Sequence, residues 1–167
     1  MFQEFSERAK EKTLKNDYIR LQIYKNFGWN NNKNNGTLNN GVAYTDSNNG
    51  TLVFDGVDDY VSIPYNASPF NLGTGDFTFE CWMYSSTFTT EQTLLDLRGS
   101  STNSLAVAVS ASRFPFIWRE GTGTILITSS VAITPSAWNH IAFVRNGTTL
   151  TVYVNGVSGG SITDSTD

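Results

Sequence analysis

Residues 77–84, FTFECWMY, alternate without interruption. Phe77, Phe79, Cys81 and Met83 fall on one face of an extended chain, and Thr78, Glu80, Trp82 and Tyr84 on the other. Both faces are largely apolar, which predicts a strand inside a two-layer sandwich. Residues 18–24 repeat the pattern more weakly, with Ile19, Leu21 and Ile23 against Arg20, Gln22 and Tyr24. Shorter runs predict strands at 93–97, 105–110, 114–118 and 124–128. Pro115 removes a ladder donor, which assigns its strand to a sheet edge. Residues 139–145 and 148–155 flank Asn146-Gly147, a pair suited to a type I′ hairpin turn. In residues 52–63, LVFDGVDDYVSI, two apolar runs meet at an acidic turn. Asp-Gly supplies positive φ angles there, and a second hairpin is expected.

Other stretches lack this period. Residues 2–15 are rich in helix formers and place Phe2, Phe5 and Ala9 at three- and four-residue spacings. A helix this short needs a surface to lie on, its own domain or a partner subunit. Residues 30–40 form an Asn-rich polar loop, and residues 64–75 a loop punctuated by Pro and Gly. The division expected is a helical anchoring segment at 1–16 followed by a β domain at 17–167.

Composition agrees with an all-β class: aromatic residues make up 13% and charged residues 16% of 167. Charge is distributed unevenly. Residues 1–33 hold seven Lys and Arg against four Asp and Glu, and the remainder four against eleven. An acidic body argues against a nucleic-acid partner. No apolar run is long enough to insert in a membrane, and the charged start has no secretory h-region. Cys81 stands alone, which excludes an internal disulfide and predicts a buried thiol.

Four blocks, in order, carry a resemblance: residues 52–63, 76–84, 138–147 (WNHIAFVRNG) and 150–156 (LTVYVNG). Together they resemble the laminin-G-like, concanavalin A-like jelly roll, a two-sheet antiparallel sandwich. The wording NNGTLNNGV at 34–42 is similar to a linker in such domains of phage structural and bacterial surface proteins. In that family several more strands follow the Asn-Gly turn. Here only residues 156–167, rich in Gly and Ser, remain, so the last strands are expected to be lacking and a sheet edge to be buried against another chain.

Candidate chemistry is sparse. Asp55, Asp58 and Asp59 form the densest carboxylate cluster, able to offer calcium several oxygens or simply to build a turn. Glu80 beside Trp82 has the make-up of a sugar site, but no carboxylate stands at 78 or 82, so a retaining glycosidase is not expected. Trp118, Trp138, Tyr65 and Phe88 sit near predicted strand ends or loops, where rings stack on sugars, fill interfaces or join the core. His140, the one histidine, is expected to pack or hydrogen-bond as part of the framework. Four Asn-x-Ser/Thr sequons read as turn chemistry. The resemblance implies a non-enzymatic virion component in which Phe2, Phe5 and Ala9 anchor an outward jelly roll to other subunits, with possible glycan binding. The alternative is a calcium-dependent carbohydrate-binding adhesion module of a bacterial surface protein.

Overall fold

In a computed structural model of the chain, the alternation at Phe77–Tyr84 becomes a strand with Phe77, Phe79, Cys81 and Met83 buried, while Trp82 faces solvent. The structure describes residues 17–25, 37–45, 51–62, 72, 74–97, 105–119 and 124–165, with the backbone alone for 17–25 and 124. The expected helix at 2–15, with Phe2, Phe5 and Ala9, lies outside them, as does Tyr65.

Thirteen strands run through the described residues: β1 (Asp17–Lys25), β2 (Thr37–Asn39), β3 (Ala43–Thr45), β4 (Thr51–Phe54), β5 (Tyr60–Ser62), β6 (Phe77–Tyr84), β7 (Gln92–Asp96), β8 (Leu105–Val109), β9 (Pro115–Arg119), β10 (Thr124–Thr128), β11 (Trp138–Asn146), β12 (Thr149–Val154) and β13 (Val157–Thr163). Seven form one sheet in the order β13-β12-β11-β6-β1-β4-β3. Four form a second, β10-β9-β8-β7, and β2 pairs with β5 apart from both. Every pairing is antiparallel. As its doubly apolar faces predict, β6 is fourth of seven.

The core lies between the two larger sheets. Phe79, Met83, Ile141, Phe143, Leu150 and Val152 from one side meet Leu94, Leu105, Val107, Val109, Ile117 and Ile127 from the other. Side chains from alternate positions of each strand fill this layer, and their removal from water is the main favourable term holding the sheets together. Cys81 is among them: burial, and secondarily the Glu80 charge, push its thiol up to about 12.

Three local expectations give way to different geometry. β4 and β5 do not form a hairpin, because β4 pairs with β1 and β3 whereas β5 pairs with β2. The acidic turn closes on itself: Val57 N–H donates to Asp55 Oδ1 at 2.9 Å and Asp55 N–H donates to Asp59 Oδ2 at 2.8 Å. It redirects the chain to another sheet instead of reversing it. The strand of Pro115 is also not an edge, since β9 lies between β8 and β10. Proline is tolerated as the first strand residue, and its carbonyl still accepts a bond from Ser129 N–H at 2.8 Å. Finally, Asn146 pairs with Thr149, so the two-residue turn is Gly147-Thr148, with Gly147 at φ 57 and no positive φ at Thr148. That is the II′ pattern, with glycine first.

The Gly- and Ser-rich tail supplies a strand of its own. Asn155 (φ 50) and Gly156 (φ 79) make the type I′ turn from β12 into β13. Val152 pairs with Gly160 and Tyr153 with Ser158, leaving Gly159 as the extra residue of a bulge. Its carbonyl accepts a bond from Ser130 N–H at 2.8 Å, which ties the outer strand of the large sheet to the segment leaving β10. Beyond β13, Asp164 sits between two buried arginines. Arg119 Nη2 donates to Asp164 Oδ2 at 2.8 Å, and Arg145 Nη2 donates to the Asp164 carbonyl at 2.9 Å. The edge at β13 is therefore met from within the chain at these points.

Candidate functional site

Because neighbouring antiparallel strands place opposed residues on the same face, register decides which side chains meet outside the core. On the solvent side of β6 and β11, Tyr84 opposes Trp138, Trp82 opposes His140, and Glu80 opposes Ala142. Ala142 in turn opposes Tyr153 of β12. The backbone of β1 continues the rows on the other flank, with Tyr18, Arg20 and Gln22 as Cα partners of Tyr84, Trp82 and Glu80.

The centre of this face is a three-residue cluster. The Trp82 ring lies 5.1 Å from the His140 ring at 45°, and His140 Nε2 lies 3.2 Å from Glu80 Oε2. Both polar side chains keep about a quarter of their surface open, 25% for His140 and 27% for Glu80, and Trp82 is 43% exposed. Two further bonds hold the His140 backbone: its N–H donates to Asn155 Oδ1 at 2.8 Å and its carbonyl accepts from Asn155 N–H at 2.8 Å. One row away, the rings of Tyr84 and Trp138 lie 5.9 Å apart at 59°. An exposed indole beside a carboxylate and an imidazole offers an apolar plate with donors and acceptors at its rim. Sugar rings, apolar on one face and hydroxylated at the edge, fit such a surface.

The structure thus brings together Glu80, Trp82 and Trp138 from the sequence candidates. It separates the others. Trp118 is half-buried on β9, opposite Ala106 and Ile125 in the second sheet, and Phe88 packs against the core. His140 makes the hydrogen bond expected of it, yet it does so inside the cluster. Tyr84 shares the outer face of β6 with Glu80 and Trp82, and Tyr153 joins from β12 through its pairing with Ala142. The alternation of WNHIAFVR already places Trp138 and His140 on one face, and pairing of that strand with β6 supplies the rest.

The acidic turn makes a second cluster. Carboxylate oxygens of Asp55, Asp58 and Asp59 lie within 4.8 Å of one another. Calcium takes six to eight oxygens at about 2.3–2.6 Å, so this spacing would let the three residues offer up to half of them. Asp59 Oδ1 is buried without a hydrogen-bond partner, while Asp59 Oδ2 and Asp55 Oδ1 serve the turn as described. Asn40 Nδ2 donates to the Asp58 carbonyl at 2.8 Å, which braces the loop from the β2 side.

Comparison with known proteins bears on the fold. Residues 54–167 match the family described as the concanavalin A-like lectin/glucanases superfamily. Among solved structures, the chain is similar to carbohydrate binding module CBM66 from Bacillus subtilis. The two are 15% identical, with 80% of this chain and 82% of that one covered at a TM-score of 0.52. That likeness is one of fold. No curated protein matches the sequence.

Proposed function

Since the chain belongs to the concanavalin A-like lectin/glucanases superfamily, we propose that it is a non-enzymatic glycan-binding module whose ligand lies on the outer face of β6 and β11. The observation that carries this reading is the open Trp82 ring, held against His140, which in turn meets Glu80. In this role the indole stacks on the sugar, the carboxylate accepts hydroxyl protons, and the imidazole keeps both in place. The fold neighbour's name, a carbohydrate binding module, agrees with that assignment. For catalysis of the retaining type a second carboxyl would stand about 5–5.5 Å from Glu80. Its cross-strand partners are Ala142 and Gln22, and Thr78 and Trp82 flank it along β6.

Such a module works outside a cell or on a surface, and we place it there. Display on a virion, anchored through residues 2–15, is the more specific form of this reading and rests on the wording of residues 34–42. An adhesion module of a bacterial surface protein is the other form. Calcium, if held by Asp55, Asp58 and Asp59, would stiffen the turn leading from β4 to β5. Assembly with further subunits would use the edges at β3 and β7, which end their sheets. Light scattering on the purified chain measures this, with a defined oligomer expected and a monomer counting against it.

The test of the binding role is a glycan array probed with the whole chain, with and without calcium. Binding to at least one glycan is expected, reduced at least about tenfold by Trp82→Ala at unchanged melting temperature. An array blank in both conditions overturns the proposal. Binding that Trp82→Ala leaves intact moves the site elsewhere.

A further inference from the structure

Resting on the glycan-binding reading, we infer that the outer face of β6, β11 and β12 takes an internal stretch of a linear glycan, lying along the strands, and not a single terminal sugar. Aromatic rings occur in three successive cross-strand rows. Tyr84 and Trp138 form the first, Trp82 with His140 the second, and Tyr153 stands in the third, in the row of Glu80 and Ala142. Successive rows on one face are two residues apart along the strand, about 6.8 Å. Three rows therefore reach about 14 Å, well beyond one sugar ring. The rings follow the strand direction and shift across it, from β6 and β11 in the first row to β12 in the third. A site for one terminal residue converges its groups on a point, with polar side chains closing around the sugar's free hydroxyls. Here the polar groups are concentrated at the second and third rows, where Glu80 and His140 meet, with the Tyr84 and Trp138 rings one row beyond and Tyr153 in the row of Glu80, across Ala142.

This geometry sets an order of effects. A chain of three sugars engages all three rows, whereas one sugar engages the centre alone. Affinity then climbs with length and stops climbing once the rows are filled.

The experiment is calorimetric titration of the whole chain with purified length ladders, from one to six residues, of linear gluco-, xylo-, manno-, galacto- and fructo-oligosaccharides. In at least one ladder affinity should rise at least about fivefold per residue up to three or four, then level off. Tyr153→Ala and Trp138→Ala should each flatten part of that rise while leaving the shortest binding fragment as it was, and Trp82→Ala should weaken every length. Affinity that is flat from one residue upward overturns the inference while leaving the glycan-binding role standing. So does binding confined to terminal sugars on the array with every ladder silent. A blank array overturns both.

Discussion

Two carboxylates in this molecule each meet a basic partner, and their surroundings could hardly differ more. Asp164 lies 3% exposed against Arg119, itself 5% exposed, with Arg145 Nη1 3.9 Å from the same carboxylate oxygen. Glu80 meets His140 at 3.2 Å with about a quarter of both side chains open to water. The first cluster joins the two sheets to the tail. Arg119 comes from the four-stranded sheet, Arg145 from the seven-stranded one, and Asp164 follows β13. Charges that have lost their water are stable only while each compensates the other, so this cluster locks geometry and offers nothing to a ligand. The second keeps part of its hydration, so it contributes less to stability and remains available for recognition. Burial, more than the identity of the groups, separates framework from candidate site.

The sharpest way to break that contrast is to remove the buried carboxylate. Asp164→Ala leaves two guanidinium groups near one another without their shared anion, and should destabilise the fold by about 3–5 kcal/mol in urea unfolding. A loss below about 1 kcal/mol would mean that water reaches the cluster, and the distinction between the two pairs would collapse.

A smaller effect is expected at the bulge that leads to Asp164. Gly159 packs so closely on Ser129 that a Cβ built there would overlap Ser129 Oγ and press on the backbone behind it. Gly159→Ala should cost about 1–3 kcal/mol, the usual range for overpacking. Adding Ser129→Gly should recover part of it, a coupling that a double-mutant cycle reads directly. Additive losses would show that the tail is not held by this contact.

How much of this could be foreseen follows the range of the interaction involved. β6, β11 and β12 were legible because alternation of Phe77, Phe79, Cys81 and Met83, or of Ile141 and Phe143, is a local signal of a face turned to the core. The hairpin expected at 52–63 was not found, since Asp55-Gly56 specifies a turn but not which strands will flank it. β1 takes the place beside β4 that a hairpin partner would have filled. Pro115 misled for a related reason: its missing donor falls at the first residue of β9, where the ladder can spare it. The turn after β11 slipped by one residue, because Asn-Gly and Gly-Thr both satisfy a two-residue loop and pairing of Asn146 with Thr149 decides between them. At the candidate site, Glu80 and Trp82 were visible as strand neighbours. Tyr84 shares their strand and face, whereas His140 and Tyr153 join them only through cross-strand register, which one strand's sequence does not contain.

The smallest stability change is expected at the open pair, and it sharpens the comparison by reaching across the sheet. Glu80→Gln keeps an acceptor for His140 while removing the charge, so unfolding free energy should move by no more than about 1 kcal/mol. Its inward neighbour Cys81 should report the change. Desolvation is the larger cause holding that thiol up at about 12 and the Glu80 charge the smaller, so the substitution should lower the thiol's pKa somewhat but leave it far above its ordinary 9.0. The sign of the pH dependence follows. As pH rises from about 9 toward 12 the unfolded thiol ionises while the folded one stays protonated, so this group's contribution to stability is intact below 9 and drains away above it. Through pH 10 the folded thiol stays protonated with or without the Glu80 charge, so the drain read from urea titrations at pH 8, 9 and 10 should match in wild type and Glu80→Gln, with thiol labelling of the native protein slow at all three. A slope abolished by the substitution would bring the folded thiol down to its ordinary 9.0 and reverse the order of the two causes.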